Sequence, residues 1–461
     1  MDDRRFDNLL KSKAMNEPFS VPPEFSERID SLMKNLSDNP PRLRKVPRKI
    51  FLIAAGFIVF ASTAVASPVV SDMTSGVISY FNAPRDFKYL SQQAIYEQYN
   101  SQVGVSATDQ GITVTIDNLA VDDNYINVFY TIKSEEPIQL LGDENDLKQW
   151  RLNWTAPIFW FKEDGRYIEP PAQNEVEAYL EDAYTLKGMQ RFAVMGTLED
   201  RMNLELYTDG IFGKEGQWHI PLSVDKSKVA VESLTVTPKL KAQVTSGWNG
   251  EYKHDITVEK VSISPFGNQI VISERAKNTF YQFVLKDDRG EYLTMIPAAT
   301  YGGNFFTKAT NSFEFLGGRT DMKELTLIPI VTGDDDDGLP APKLVTVDIG
   351  NDPIPMPQGE LGGFVMDKLE ITTEKAVATF HQVGAVPIAE PNLIFLDEKG
   401  EQFDFDVYQN SYYNRETGEI TITCTFQNAT EEDISKVKKV GYFTRSTKLN
   451  EKEAIHIELS E

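Results

Sequence analysis

Phe159-Trp-Phe-Lys-Glu-Asp-Gly165-Arg-Tyr167, Phe283-Val-Leu-Lys-Asp-Asp-Arg-Gly290-Glu-Tyr292 and Ile394-Phe-Leu-Asp-Glu-Lys-Gly400-Glu-Gln-Phe403 share one form. Each is an apolar strand, an acidic turn with one glycine, and a returning strand, which is the signature of a β-hairpin. The spacing around them repeats too. Leu222, Val347 and Ile457 each lie 57 residues beyond Gly165, Gly290 and Gly400. They sit mid-strand in Ile220–Val224, Val345–Ile349 and Ile455–Leu459, all alternating with period two. Leu204-Glu-Leu206, Leu325-Thr-Leu327 and Val437-Lys-Lys-Val440 precede those closing strands. Leading strands recur at Ile112–Ile116, Ile256–Val258 and Val365–Ile371. The first copy is longer before its hairpin, and Ser134 to Gln149 is the candidate insert. Internal repetition at this spacing predicts three copies of one sandwich. Copies of roughly 110–125 residues have the size of an immunoglobulin-like domain. The spacing further predicts that each closing strand completes the core of its own copy.

Upstream the pattern changes. Ile50 to Ser71 is a run of 22 residues without charge, long enough to cross a hydrocarbon core of about 30 Å. Arg42, Arg44, Lys45, Arg48 and Lys49 precede it and Asp72 follows, so the N-terminus is expected inside and the C-terminal region outside. Ala64-Val65-Ala66 has the look of a signal-peptidase site. The 49-residue leader before the run favours an uncleaved anchor instead. Residues 72–102, with Phe87, Leu90, Ala94, Ile95 and Tyr99 at helical spacing, read as a helical stalk.

Charge divides along the same line. The chain has 461 residues, with 46 Lys+Arg against 69 Asp+Glu and a net charge of −23. Residues 1–49 hold 11 Lys+Arg and 8 Asp+Glu, so the remainder carries −26. A chain this acidic is not built to coat itself with a phosphate backbone, and no nucleic-acid partner is expected. The basic inner piece suits an anionic lipid surface.

About 49 residues are too few for a core of their own. They still carry two stripes. Phe25, Ile29, Leu32, Met33 and Leu36 form one apolar helical face after Pro22-Pro23. Phe6, Leu9 and Leu10 begin a shorter one. Amphipathic helices without a core of their own call for a partner's groove, the alternatives being that they pack on each other or lie on the membrane, and these eight residues are the candidate partner-binding set.

Little points to a reaction. The four histidines at 219, 254, 381 and 456 lack metal-ligand spacing and read as ordinary strand or loop residues. The single cysteine, Cys424, falls on the apolar face of a strand, as a buried inert thiol. Asp334 to Asp337 between Gly333 and Gly338 lack the alternating ligand spacing of a calcium loop and read as a solvated acidic loop. Trp150, Trp154 and Trp160 could form an exposed platform beside the other, core-type tryptophans. No catalytic residue, metal or cofactor is expected.

The layout as a whole has a likeness. Val21-Pro-Pro-Glu-Phe-Ser-Glu-Arg-Ile29-Asp-Ser-Leu32, the basic flank, one anchor, a short stalk and Gly111-Ile-Thr-Val-Thr-Ile-Asp117 resemble a family of Gram-positive membrane-anchored proteins. Their ectodomains are domains of unknown function, and many are described as anti-sigma factors. The resemblance implies that the inner segment holds a cytoplasmic sigma factor at the membrane, with an extracellular ligand or cell-wall component outside. The best-known anti-sigma class uses a His/Cys zinc motif, and residues 1–49 contain neither residue type.

The expectation is therefore a mainly β chain. Its parts are short cytoplasmic helices (1–49), one transmembrane helix (50–71), a helical stalk (72–102) and three immunoglobulin-like β-sandwich repeats (103–228, 229–350, 351–461). The expected role is a single-pass membrane regulator. The rival is a structural or adhesive cell-surface protein whose tail only sets topology.

Overall fold

Alternation of apolar and polar residues sets the first module. The computed structural model describes residues 76–459 apart from 84–91, 144–147, 164–165, 168–173, 249–251, 275–281, 302–307, 333–342, 351–352, 360, 387–390, 404, 406, 416 and 445–446. All described residues belong to one compact unit. The chain is mainly β. The tail, the apolar run Ile50–Ser71 and the Asp334–Asp337 loop lie outside the described residues. Among the described residues no helix is long and apolar enough to cross a membrane.

The first module holds β1 (Ser101–Asp109), β2 (Ile112–Val121), β3 (Tyr125–Ser134), β4 (Trp160–Glu163), β5 (Arg166–Tyr167), β6 (Asn174–Leu180), β7 (Thr185–Ala193), β8 (Arg201–Ile211) and β9 (Lys214–Asp225). They form two sheets, β1-β2-β3-β7-β6 and β5-β4-β8-β9, all antiparallel. On β9, Trp218, Ile220, Leu222 and Val224 are buried while His219, Pro221, Ser223 and Asp225 face out. With Ile112, Val114 and Ile116 of β2 and the inward residues of β3, β7 and β8 they make one core. Trp218 Nε1 donates to the Ile112 carbonyl at 2.9 Å, tying sheet to sheet. The helix Lys148–Thr155 begins at the end of the expected insert, Ser134 to Gln149, and lies almost wholly beyond it.

The second module repeats the plan with β10 (Leu234–Val236), β11 (Leu240–Trp248), β12 (Tyr252–Ile263), β13 (Asn268–Glu274), β14 (Phe283–Asp287), β15 (Tyr292–Leu293), β16 (Met295–Tyr301), β17 (Ala309–Phe315) and β18 (Glu324–Thr332). After it comes β19 (Lys343–Asp348). The third module follows with β20 (Ile354–Pro357), β21 (Gly362–Ile371), β22 (Lys375–Gly384), β23 (Ile394–Leu396), β24 (Tyr408–Tyr413), β25 (Ile420–Thr425), β26 (Lys439–Thr444), β27 (Thr447–Leu449) and β28 (Ile455–Glu458). The third module's five-stranded sheet runs β20-β21-β22-β25-β24, and the run β11-β12-β13-β17-β16 of the second module has the same order as the first sheet. There, however, β11 also pairs in parallel with β18 at Gly247–Val331 and Trp248–Thr332, which joins the second module's strands into one eleven-stranded sheet. In all three, the second and third strands are hydrogen-bonded neighbours joined by short turns. The immunoglobulin order puts strands B and C in opposite sheets. The modules are thus β-sandwiches of another strand order, and the immunoglobulin-like expectation is corrected.

Closure differs between modules. β9 closes the first module by pairing with β8 through a tight turn at Phe212-Gly213. In the second and third modules the closing strands are exchanged. β19 pairs with β26 of the third module, Val347 opposite Val440 and Val345 opposite Tyr442. β27 and β28 both return to the second module and pair with β18, Leu449 opposite Ile330, Ile457 opposite Leu325 and Ile455 opposite Leu327. Ile455, Ile457 and Leu459 belong to the second module's core, and Val345, Val347 and Ile349 pack on the third's. The equal spacing of 57 residues therefore marks equivalent strands but not their seats. The connections give the reason. Residues 333–342 carry four consecutive aspartates and Pro340 and Pro342. Self-repulsion and stiff proline oppose a tight hairpin back onto β18. The returning segment is also held in place: Glu453 accepts hydrogen bonds from Thr245 N and Oγ1, and Asn450 N donates to Pro329 O.

The helices α1 (Gly76–Phe81) and α2 (Gln93–Tyr99) lie in the segment expected as a stalk. Helices this short are marginal alone and need tertiary contacts. They find them on the outer face of the first sheet, where Val77, Tyr80, Phe81 and Tyr96 bury against Phe129, Met189 and Ala193. Tyr96 also stacks on Phe266 of the second module, with ring centroids 5.1 Å apart. The segment is a splint across two modules.

Candidate functional site

The sequence-derived contact residues Phe6, Leu9, Leu10, Phe25, Ile29, Leu32, Met33 and Leu36 lie outside the described residues. Within the described body the densest concentration of chemistry is a buried node where all three modules meet. Glu314 on β17 of the second module is its centre. Arg191 on β7 of the first module donates from Nη1 to Glu314 Oε2 at 3.0 Å and from Nη2 to Oε1 at 3.2 Å. Arg415, in the turn between β24 and β25 of the third module, grips the other side from Nε and Nη2 at 2.5 and 2.9 Å. The side chains of all three are less than a tenth exposed. The Arg191 guanidinium sits 3.3 Å over the Tyr125 ring, a cation–π contact from the first module. Gly267 faces the node, where a Cβ would come within 2.5 Å of Glu314 Oε1 and 2.8 Å of Arg191 Nη2.

A second network flanks it. Asp122 accepts from the backbone N–H of Asn124 and Tyr125 and from Ser264 Oγ and Phe266 N across the module boundary. Asn124 Nδ2 donates to the Gly267 carbonyl at 2.8 Å. Lys260, buried on β12, donates to the carbonyls of Asp123, Val194 and Gly196 at 2.7, 2.7 and 3.1 Å. Three donors meet three acceptors, so the head group is satisfied without a carboxylate.

The electrostatics follow from burial and partners. Burial works to raise the Glu314 carboxyl, but Arg191 and Arg415 outweigh it and hold the group at about 2. Burial raises Asp122, with its hydrogen bonds opposing. Burial lowers Lys260 to about 7 against the pull of Asp122 and Asp123. The node's charges are directed at one another and at carbonyls, the arrangement of a clamp.

Another device repeats in every module. A β-bulge interrupts the second strand at Asp117, Glu259 and Asp367. Each bulged acid bonds a third-strand residue 14 positions on: Thr131, Ser273 and His381 respectively. The bulge turns an acid toward its neighbour strand and raises the local twist. The equal spacing was readable in the sequence, had acids been compared as well as apolar residues. Burial raises Asp117 from 3.8 to about 6, with the Thr131 hydrogen bond opposing. A carboxyl whose folded pKa lies above its unfolded one favours the folded state at low pH. That benefit disappears as pH rises through the folded value. Asp117→Asn, which can still accept from Thr131, is expected to stabilise the chain by about 1–2 kcal/mol at pH 7 and by almost nothing at pH 3. Thermal melts at both pH values check it; equal shifts would contradict it.

The histidines all lie in strands, each beside a carboxylate: His219 with Glu205, His254 with Glu274, His381 with Asp367 and His456 with Glu324, at 2.7–3.0 Å. Among the described residues no group of three His, Cys, Asp or Glu is placed to hold a metal ion. Cys424 is buried on β25. Among the described side chains Trp154, on the helix Lys148–Thr155, is exposed, as is Ile158, while Trp218 is buried and Trp160 half-buried.

Comparison with known proteins adds a family and a likeness. Residues 42–134 match the model of a family described as Domain of unknown function (DUF4179). That stretch runs from the basic flank to the end of β3. The curated proteins give no match. Among solved structures, "the conserved domain protein from Bacillus anthracis" is 14% identical over 61% of this chain and 90% of its own, with a TM-score of 0.38. The N-terminal eight Ig domains of Down Syndrome Cell Adhesion Molecule isoform 1.30.30 are 9% identical over 74% of this chain and 42% of theirs, with a TM-score of 0.15.

Proposed function

We propose that the chain is a single-pass membrane regulator. Its inner tail binds a cytoplasmic sigma factor, and its outer modules act as one sensing or interaction body. The observation that carries this reading is the splint. The described chain nearest the apolar run is α1 and α2, and these are buried on the first module and stacked on the second. A load or ligand that shifts the modules would thereby reach the chain leading to Ser71. A loose tether would isolate the two sides. The net charge of −23 is in keeping with a role in binding.

The test is a pull-down with residues 1–41 as bait, beside the same bait carrying Ile29→Asp and Leu32→Asp. A helix in a groove concentrates its energy in a few apolar anchors of roughly 1–3 kcal/mol each. Two charges in that groove are expected to weaken binding by at least about a hundredfold. Equal recovery by both baits, or recovery of no sigma factor, would sink the reading. The rival, a structural or adhesive surface protein, draws on the interlocked closing strands and forecasts no regulatory change in cells carrying the double variant.

A further inference from the structure

The seam between first and closing strands is sealed in the first module; in the second it is closed at the β11 end, where Thr245 bonds Glu453, and open beside β10. β1 runs unbroken alongside β9, and Gln217 N donates to Asp109 Oδ2 across the seam at 2.8 Å. In the second module the corresponding strand is split. Pro238 and Lys239, the latter at φ 52°, separate β10 from β11. The gap leaves a groove of about 640 Å³ between β10 and the incoming β28. Val236, Pro238 and Leu240 line one side; Glu324, His456 and Glu458 line the other.

The groove has a free strand edge. Among the described residues β28 pairs only with β18. Leu459 N donates to the Lys323 carbonyl on that side. Antiparallel alternation then directs the N–H and C=O of His456 and Glu458 outward, into the groove. Such an edge is a template for another strand. Its charge is uniform: Glu324 and Glu458 are directly opposed in the ladder, and like charges so placed repel. His456 Nδ1 already lies 2.7 Å from Glu324 Oε1.

We infer that this groove seats an extended basic polypeptide strand. The incoming strand adds to β28 through main-chain hydrogen bonds, sets alternate apolar residues against Val236 and Leu240, and sets Lys or Arg against Glu324 and Glu458. It fills the gap that the break between β10 and β11 leaves beside β28. The inference is independent of the sigma-factor reading.

Two ten-residue probes test it against the full-length chain, one alternating Lys and Val, the other Glu and Val. Titration calorimetry should give at least tenfold tighter binding of the lysine peptide, and amide exchange should slow at residues 234–240 and 455–459. Glu458→Lys should weaken that binding at least tenfold. His456→Pro removes an outward N–H and leaves the β18 ladder intact, so it should abolish binding while the melting temperature stays near that of the parent. Equal affinity for both probes, protection elsewhere, or full binding by Glu458→Lys would overturn the inference. Full binding by a folded His456→Pro chain would do the same.

Discussion

Removing residues 450–461 is expected to unfold the second module while the first stays intact. The deletion takes away β28, and with it Ile455, Ile457 and Leu459, which are at most 5% exposed. Each such side chain is worth about 1.5–3 kcal/mol on burial, so the three contribute roughly 5–9 kcal/mol. That is as large as the whole stability of many domains, about 5–15 kcal/mol. β19 cannot stand in without leaving the third module, where it pairs with β26. Limited proteolysis with mass spectrometry should show cuts within β11–β18, while residues 101–225 remain resistant. A synthetic peptide of residues 447–461 added in trans should restore protection. A truncated chain with the parent's protease pattern would refute the exchange.

The second large effect is at the node. Glu314→Ala leaves Arg191 and Arg415 buried against each other without a counter-charge, and is expected to cost about 3–5 kcal/mol. Replacing Glu314, Arg191 and Arg415 together by Leu or Met should recover most of that loss, because no uncompensated charge remains. The pH dependence points the same way. Glu314 ionises at about 2 in the fold against an ordinary 4.5, so its contribution is full above about 4.5 and is lost as pH falls toward 2. Denaturant unfolding of the parent, the single variant and the triple variant at pH 7 and pH 3 measures both effects. A single variant within about 1 kcal/mol of the parent at pH 7 would show that the modules are not held there.

How much of this could be read in advance depends on the range of the interaction. Hairpins, leading strands and closing strands were legible because period-two alternation and acidic Gly turns are local. The seat of each closing strand was not. Val345-Thr-Val347-Asp-Ile349 and Ile455-His-Ile457-Glu-Leu459 have the same alternation, so either satisfies either edge. What separates them are the connecting segment 333–342 and the anchors at Thr245 and Pro329, which no periodicity reports. The strand order was missed for a related reason. A copy of about 110 residues fits several sandwich topologies, and size alone suggested the immunoglobulin one. Arg191, Glu314 and Arg415 were invisible as a group, being single charges in separate modules. Burial of α1 and α2 was hidden likewise. Their aromatic spacing marked a helix, while the face that covers them, Phe129 and Met189, lies on strands with apolar residues on both sides.

The exchanged strands also set an order of events during synthesis. The first module has every strand once Asp225 has emerged, and can close while the rest is still being made. The second cannot. Leu325 must wait 132 residues for Ile457, with the third module laid down in between. Its open edge at β18 and its apolar floor stay exposed throughout that interval, so a chaperone would have the longest opportunity there and an interrupted chain would be most prone to misassociate there. β28 completes the second module only after the third has been made, and any product that stops before β28 carries the same unsealed face.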